Sequence, residues 1–128
     1  SVRDLVRGME AGGIALCSDF GIDAQRHSGA PGVYVAGAKV AALGLRVRRG
    51  RTLHGLSLNV DMDLAPFRGI NPCGYEGLEV TQLRDLGVRA TPHSIAPLMV
   101  GQLRRSLGLP QSGDMQDCAK HEIVHTGL

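Results

Sequence analysis

The sequence predicts an α/β domain in which helices flank a sheet, and three observations support that prediction. Apolar residues recur at helical spacing near the N-terminus, two stretches with period-two alternation flank Arg49-Gly50, and a second helical pattern follows a stretch rich in proline and glycine. The chain has 128 residues, of which 43% are hydrophobic. It can therefore bury one core and is too short for two full domains.

The first predicted element is a helix over residues 2–19, and Gly21 is a suitable stop. Its apolar positions are Val2, Leu5, Val6, Met9, Ile14 and Leu16. Gly12 and Gly13 lie inside it, where each glycine costs about 1 kcal/mol relative to alanine. Their presence weakens the prediction for the middle of this helix.

The next stretch predicts a strand followed by a loop at residues 22–30. The turn signal Ala30-Pro31-Gly32 then leads into a short strand at residues 33–35. Gly37 marks a tight turn.

Residues 38–48 and 51–60 predict two strands, each with one apolar face. If Arg49-Gly50 is a two-residue hairpin turn, the numbers of paired residues add up to 99. Lys39 then lies opposite Val60, and Leu45 lies opposite His54. The two apolar faces coincide in this register, so that Lys39 and His54 are polar residues on a face suited to burial.

Beyond the hairpin, residues 61–75 predict a long ordered loop because they contain two prolines, two glycines and two aspartates. Loops of that length in a compact domain tend to carry function. Residues 79–86 predict a short helix that Gly87 ends.

A second long helix is predicted with Ser94 as its cap and Pro97 in its first turn, and Gly108 and Pro110 end it. Its inner stripe consists of Ile95, Leu98, Met99, Leu103 and Leu107. Residues 111–128 are polar, show no clear period and predict a loosely packed tail.

Charge and composition exclude several classes of protein. The 14 basic side chains barely exceed the 12 acidic ones, and two Phe, two Tyr and no Trp leave few rings for base stacking, which argues against a nucleic-acid partner. No apolar run approaches the ~18 to 20 residues of a membrane span, and the first residues form no signal region. We therefore expect a cytoplasmic protein.

Three cysteines, Cys17, Cys73 and Cys118, do not predict a disulfide framework.

Lysine is rare in this chain, since Lys39 and Lys120 are two of 14 cations and the rest are arginines. An arginine keeps its proton in a protein, whereas a partly buried lysine can titrate. The two lysines are therefore candidates for proton chemistry, and an ordinary surface cation is the alternative for either.

Cys73 lies in the segment Asn71-Pro72-Cys73-Gly74-Tyr75, where a proline before it and a glycine after it suit a rigid bend that presents a side chain. A thiol with a pKa of about 8.5 is only a few per cent thiolate at pH 7, so a nucleophilic cysteine needs a nearby cation or base. Lys39 is the candidate for that group. The alternative is a small buried residue in a turn.

Three motifs follow one another in a specific order. They are Lys39-Val40-Ala41-Ala42-Leu43-Gly44, His54-Gly55-Leu56-Ser57-Leu58-Asn59-Val60 and Asn71-Pro72-Cys73-Gly74. Together with Ala30-Pro31-Gly32-Val33-Tyr34-Val35, they resemble the octanoyltransferases of lipoate biosynthesis, and the resemblance extends to about Leu107. It implies the fold of biotin and lipoate protein ligases, a mixed α/β sandwich.

The resemblance also implies a reaction. Cys73 would accept an octanoyl group from octanoyl-acyl carrier protein as a thioester, and Lys39 would lower the pKa of that thiol. The acyl group would then pass to a lysine of a lipoyl domain, in 2-oxoacid dehydrogenase complexes or the glycine cleavage H protein. No cofactor is implied. A lysine on an apolar face loses hydration, which lowers its own pKa, so Lys39 could move protons for both steps.

The resemblance further implies which residues line the acyl chain. They are Ala42, Leu43, Gly44, Gly55, Leu56 and Ser57. Small apolar residues can wall a narrow tunnel, although close packing between strands is the alternative interpretation. His54 is expected to support the site rather than to act in the chemistry.

Two polar groups remain to be interpreted. The first is a predicted basic hairpin tip, formed by Arg46, Arg48, Arg49 and Arg51, which could meet an acidic carrier protein or could be a solvated turn. The second, Cys118, His121 and His125, has spacing that a zinc ion could use, but three ligands in a tail without structure do not predict a metal site.

One departure from the family lies upstream, since no part of the chain matches its Arg-Gly-Gly-x-x-Thr-x-His-x-Pro-Gly-Gln segment. The chain also begins without Met, inside a predicted helix. We expect residues 1–110 to be the C-terminal part of a catalytic domain and residues 111–128 to be its tail. A non-catalytic binding or assembly fragment is the alternative function, and a lipoate ligase relative, which would need ATP, is a third.

Overall fold

The computed structural model describes residues 2–48, 51–65, 79–110 and 124–126, and at positions 45–48, 51–54 and 124–126 it describes the backbone alone. The elements within these residues are α1 (Val2–Asp19), β1 (Gln25–His27), β2 (Ala30–Val35), β3 (Ala38–Arg48), β4 (Arg51–Leu58), β5 (Glu79–Val80), α2 (Pro92–Leu107) and β6 (Val124–Thr126). The strands form one sheet in the order β1-β2-β3-β4-β6, with β5 beside β3. β1 to β4 are antiparallel, whereas β5 and β6 run parallel to their neighbours. A mixed sheet with flanking helices confirms the predicted fold class.

Helix α1 has the predicted bounds, and its two central glycines are explained by close packing. A Cβ on Gly12 would lie 2.7 Å from Leu103 Cδ2 of α2, and one on Gly13 would lie 2.8 Å from Val33 Cγ2 of β2. A larger residue at either position would press against these buried side chains, so glycine suits both positions despite its lower helix propensity.

The hairpin of β1 and β2 differs from the prediction at residues 30–32. These residues lie within β2, and the turn is Ser28-Gly29, where Gly29 has a φ of +78° and His27 pairs with Ala30. Glycine tolerates that left-handed backbone, which makes it the turn residue. The tight turn at Gly37 is confirmed: Ala36 and Gly37 have φ values of +50° and +84°, as a two-residue hairpin of the I′ type requires.

The register of the β3–β4 hairpin is confirmed, because every pair from Ala41↔Leu58 to Arg48↔Arg51 has residue numbers that add up to 99. The predicted pair of Lys39 with Val60 is wrong. Strand β4 ends at Leu58, and β5 takes the place beside Lys39, with Val80 as its partner. The backbone oxygens of Asn59 and Val60 instead accept hydrogen bonds from residues 83 and 84.

The predicted helix at residues 79–86 is wrong, since this stretch holds β5 and then a single 3₁₀ turn, Arg84–Leu86, that Gly87 ends. Helix α2 begins earlier than predicted. Its cap is Thr91, whose side chain accepts a hydrogen bond from the Ser94 backbone, while the Ser94 hydroxyl accepts one from the Thr91 N–H. This reciprocal arrangement is a capping box, and it places Pro97 inside the helix rather than in its first turn.

The core side of α2 agrees with the predicted stripe except at Leu98. Ile95, Met99 and Leu103 are buried, whereas Leu98 is 49% exposed and Val100 is buried in addition. At helical spacing Leu98 lies at the edge of the apolar face whose middle is formed by Ile95, Met99 and Leu103. The helix ends at Gly108 as predicted.

The polar segment at residues 111–128, for which no regular structure is predicted, contributes strand β6. Its three residues pair with Leu56, Ser57 and Leu58 of β4. Across the described ranges, neither helix has the length and apolar character that crossing a membrane would take.

Candidate active site

A β-bulge decides which face of the sheet carries Lys39. Val33 pairs with Ala41, but the next residue of β2, Tyr34, pairs with Lys39, so β3 holds one extra residue, Val40. Val40 and Ala41 are both fully buried in the core. Because a bulge redirects the side chains on either side of it, Lys39 lies with Tyr34 on the face away from the helices.

This placement corrects the prediction that Lys39 shares a face with Ala41 and Leu43. The predicted burial of Lys39 is nevertheless confirmed, since its exposed fraction is 4%. Its Nζ lies 5.6 Å from the centroid of the Tyr34 ring, within the range of a cation–π contact.

Gly32 forms the floor beneath the lysine side chain. A Cβ at this position would lie 3.2 Å from Lys39 Cε and 2.9 Å from the Ala41 carbonyl oxygen. The φ of Gly32 is +144°, which L residues rarely adopt. Glycine is therefore required both by the backbone and by the lysine that packs on it.

The backbone of Gly32 is tied to α1 through a buried carboxylate. The Gly32 N–H donates to Glu10 Oε2 at 3.0 Å, and Arg26 Nε of β1 donates to Glu10 Oε1 at 3.1 Å. Glu10 is 5% exposed, and Arg26 also donates to the Arg7 carbonyl oxygen. This network holds the start of β2 against the helix, and it is one strand away from Lys39.

Sequence reasoning missed Tyr34, Gly32 and Glu10. For Tyr34 a signal was present, because the predicted tight turn at Gly37 implies pairs whose residue numbers add up to 73, and Tyr34 with Lys39 is one of them. For Glu10 the signal was a carboxylate next to Met9 on the apolar stripe of a helix, where an unpaired charge would be costly.

The residues predicted to line the acyl chain divide between the two faces of the sheet. Leu43 pairs with Leu56 on the core side, where Leu56 is fully buried. Four small residues lie on the face that Lys39 shares: Ala42, Gly44, Gly55 and Ser57. Gly44 is exposed there, and a Cβ on it would meet no atom within 4 Å. His54 pairs with Leu45 as predicted, and only its backbone is described.

Several predicted residues lie outside the described part of the chain. Cys73 is one of them, so its proximity to Lys39 stays a prediction. Others are Arg49, Cys118 and His121, while Arg46, Arg48, Arg51 and His125 are described by their backbones alone. Across the described ranges no three His, Cys, Asp or Glu residues come together as a metal site.

Cys17, in contrast, is a described cysteine with no part in such chemistry. It lies on the buried side of α1, within the core, and desolvation raises the pKa of its thiol to about 11. A thiol in that environment stays protonated at neutral pH and is a poor nucleophile.

Comparison with known proteins agrees with this architecture. Residues 1–104 match the model of the lipoyl protein ligase A/B catalytic domain. The chain belongs to this family. Within the lipoyl protein ligase A/B family, it is similar to proteins named octanoyltransferase, which confirms the resemblance noted from its motifs.

Three of these relatives illustrate the extent of the match. The octanoyltransferase of Laribacter hongkongensis is 54% identical over 110 residues, which are 86% of this chain and 53% of the relative. That of Xanthomonas campestris pv. campestris is 54% identical over 108 residues, 84% and 47% of the two chains. That of Pseudomonas entomophila is 56% identical over 106 residues, 83% and 49%. The chain thus spans about half the length of the curated relatives it matches.

Proposed function

We propose that this chain carries the cysteine–lysine centre of an octanoyltransferase, which moves an octanoyl group from acyl carrier protein to a lysine of a lipoyl domain. The similarity to proteins named octanoyltransferase supports the reaction class. The proposal depends on the position of Lys39. This residue is only 4% exposed, and it lies on a sheet face that it shares with small residues. Burial disfavours the charged form of an amine, which suits a group that must exchange protons.

In the first half-reaction, the Cys73 thiolate attacks the thioester carbonyl carbon of the octanoyl group on the carrier's phosphopantetheine arm. A new carbon–sulfur bond forms to Cys73, and the bond to the phosphopantetheine sulfur breaks. Lys39 takes the proton of the Cys73 thiol and gives it to the departing thiolate. The products are the acylated Cys73 and the free carrier thiol.

In the second half-reaction, the amine of the acceptor lysine attacks the Cys73 thioester. An amide bond forms, the bond to Cys73 sulfur breaks, and the proton lost by the amine passes through Lys39 to the Cys73 thiolate. The enzyme returns to its starting state. Both half-reactions need the Lys39 nitrogen within hydrogen-bond reach of the reacting atoms, so its placement matters as much as its basicity.

The small residues beside Lys39 suit an acyl chain. At Gly44 and Gly55 the two strands present backbone instead of side chains, which leaves room for hydrocarbon on this face. Burying the seven hydrocarbon carbons of an octanoyl chain is worth about 5–6 kcal/mol at ~0.8 kcal/mol per carbon. In this proposal Ala42 and Ser57 complete the same surface.

The proposal extends to the partners and to the place of the chain in its protein. The β3–β4 hairpin tip would meet the acidic carrier protein in the cytoplasm, and the acceptors would be lipoyl domains of 2-oxoacid dehydrogenase complexes or the glycine cleavage H protein. Residues 1–110 would be the C-terminal part of the catalytic domain, with residues 111–128 as its tail.

The test is the mass of the intact chain after incubation with octanoyl-acyl carrier protein. We expect one octanoyl adduct that hydroxylamine removes, as it would a thioester, and no thioester on Cys73→Ser. Cys118→Ser is the matched control and should keep the adduct. A folded chain without an adduct would instead support a binding or assembly fragment, and a requirement for ATP would support a ligase.

The role of Lys39 is tested by Lys39→Arg, which keeps the charge and removes the titratable amine. We expect the acylation rate to fall about 10²- to 10⁴-fold, the usual contribution of a general acid or base. Lys120→Arg, the same change at the other lysine, should leave the rate unchanged. Full turnover of Lys39→Arg would contradict the proton-transfer role.

A further inference from the structure

We infer that Tyr34 is a positioning residue for Lys39 and that the face of its ring holds the lysine ammonium in place. The contact is a property of the described fold, whereas its importance for catalysis rests on the proposed function. Lysine has a long flexible stem, so an amine that must reach reacting atoms within hydrogen-bond distance needs a device that restricts it.

The backbone makes this pairing unavoidable. The two-residue turn at Ala36-Gly37 pairs Val35 with Ala38 and therefore Tyr34 with Lys39. Side chains on directly opposed residues of an antiparallel pair start about 5 Å apart and can interact. The bulge at Val40 keeps Lys39 on the face that Tyr34 occupies.

The environment of the pair strengthens a cation–π contact. Tyr34 is 3% exposed and Lys39 is 4% exposed, so little water competes with the ring for the ammonium group. The distance of 5.6 Å from Nζ to the ring centroid lies within the effective range. A desolvated contact of this kind is stronger than one on the surface.

Further neighbours fix both partners. A Cβ on Gly32 would lie 3.4 Å from Tyr34 Cε2 and 3.2 Å from Lys39 Cε, so ring and stem pack side by side over the Gly32 backbone. That backbone is held by the Glu10 carboxylate of α1. The His27 ring lies 5.2 Å from the Tyr34 ring, centroid to centroid, and supports it from β1.

The competing interpretation is that Tyr34 only fills space beneath a neighbouring segment. The two interpretations differ in what they require of the side chain. Space filling needs volume, whereas holding an ammonium group needs the negative face of an aromatic ring. Tyr34→Phe keeps that face, Tyr34→Leu removes it, and fluorinated phenylalanines at position 34 weaken it at nearly constant volume.

The first measurement is NMR of the 128-residue chain with ¹³C-labelled lysine. Only two lysine signals arise, from Lys39 and Lys120, and Lys120→Arg assigns them. We expect the Lys39 Hε resonances to lie upfield of those of Lys120 because the Tyr34 ring current shields them. The shift should persist in Tyr34→Phe and be lost in Tyr34→Leu. Unchanged Lys39 resonances in a folded Tyr34→Leu would overturn the inference.

The second measurement is the single-turnover rate of Cys73 acylation. We expect Tyr34→Phe to stay within about twofold of the natural chain, and we expect Tyr34→Leu to lose about tenfold or more. With one, two and three fluorines on phenylalanine at position 34, the rate should fall stepwise, while circular dichroism confirms an unchanged fold. Equal rates along this series would overturn the positioning role.

The two measurements separate the two claims. If the natural chain takes no octanoyl group, the proposed function fails, and the NMR shift still decides whether Tyr34 holds Lys39. If the natural chain is acylated and neither the shift nor the rate responds to Tyr34, the proposed function stands and the inference fails.

Discussion

Replacing Gly32 with alanine perturbs the floor beneath Lys39 by a single methyl group. The new Cβ would lie 2.9 Å from the Ala41 carbonyl oxygen and 3.2 Å from Lys39 Cε. The first neighbour is backbone of β3 and can move only with the strand. The second is the stem of the lysine, which must shift away from its position against the Tyr34 ring.

The cost of Gly32→Ala has two parts. A φ of +144° is rarely adopted by L residues, and holding alanine there costs about 1–3 kcal/mol. Forcing a methyl group into the close contact costs about 1–3 kcal/mol more. The free energy of unfolding should therefore fall by about 2–6 kcal/mol, a large fraction of the ~5–15 kcal/mol of an ordinary domain.

Gly37→Ala is the matched control. Gly37 also has a positive φ, +84°, but a Cβ there would meet no atom within 4 Å. Its cost is the backbone strain alone, about 1–2 kcal/mol. The difference between the two variants therefore consists mainly of the contact with Ala41 and Lys39.

Urea unfolding of both variants measures these costs, and the Lys39 Hε resonances report whether the amine has moved. We expect Gly32→Ala to be the less stable variant by about 2.5 kcal/mol, the difference between the midpoints of the two costs. It should also displace the Lys39 resonances, whereas Gly37→Ala should leave them unchanged. Equal stability of the two variants, with Lys39 unmoved in both, would refute the reasoning that Gly32 is the floor of the lysine site.

Two further predictions concern the core. Gly12→Ala should destabilise the chain by about 1–3 kcal/mol despite its better helix propensity, because the new methyl group lies 2.7 Å from Leu103 Cδ2. Gly101→Ala, whose Cβ meets nothing closer than 3.7 Å, should instead stabilise the chain by about 0.5–1 kcal/mol. Urea unfolding measures both changes, and stability changes of the same sign in the two variants would contradict the packing argument. Burial raises the pKa of Cys17 from 9.0 to about 11, so its contribution to stability is complete below pH 9 and is lost as the pH rises from 9 to 11. The free energy of unfolding of the natural chain should be up to about 2 kcal/mol lower at pH 10.5 than at pH 8, and Cys17→Ala should lack this loss. Equal losses in the two chains would contradict this prediction.

Much of this fold could be predicted because the signals are local. The bounds of α1 follow from apolar spacing and a terminal glycine, and the register of the β3–β4 hairpin follows from the length of one turn. Two elements were predicted a few residues away from their true positions, also because of local signals. Pro31 drew the predicted turn away from Gly29, and Ser94 drew the predicted helix cap away from Thr91.

The candidate site was predicted in part. Lys39 was expected to be buried on the apolar face of β3; it is buried, but on the opposite face, beside Tyr34. Its partner ring on Tyr34 was overlooked, although the turn at Gly37 implied it. The carboxylate of Glu10 could not be connected to Gly32 from sequence, since 22 residues and a helix–strand packing separate the two.

The sequence alone determined that there are two long helices, the hairpin register and the family to which the chain belongs, because each depends on residue types at fixed spacing along one stretch. Only the tertiary structure decided the face on which Lys39 lies. One extra residue, Val40, reverses the alternation of side chains between the two sides of the bulge. Whether a strand bulges depends on its pairing with the neighbouring strand and on which side chains the core has room for. The same dependence on distant partners explains β5 and β6, whose two and three residues form strands because β3 and β4 offer them hydrogen bonds.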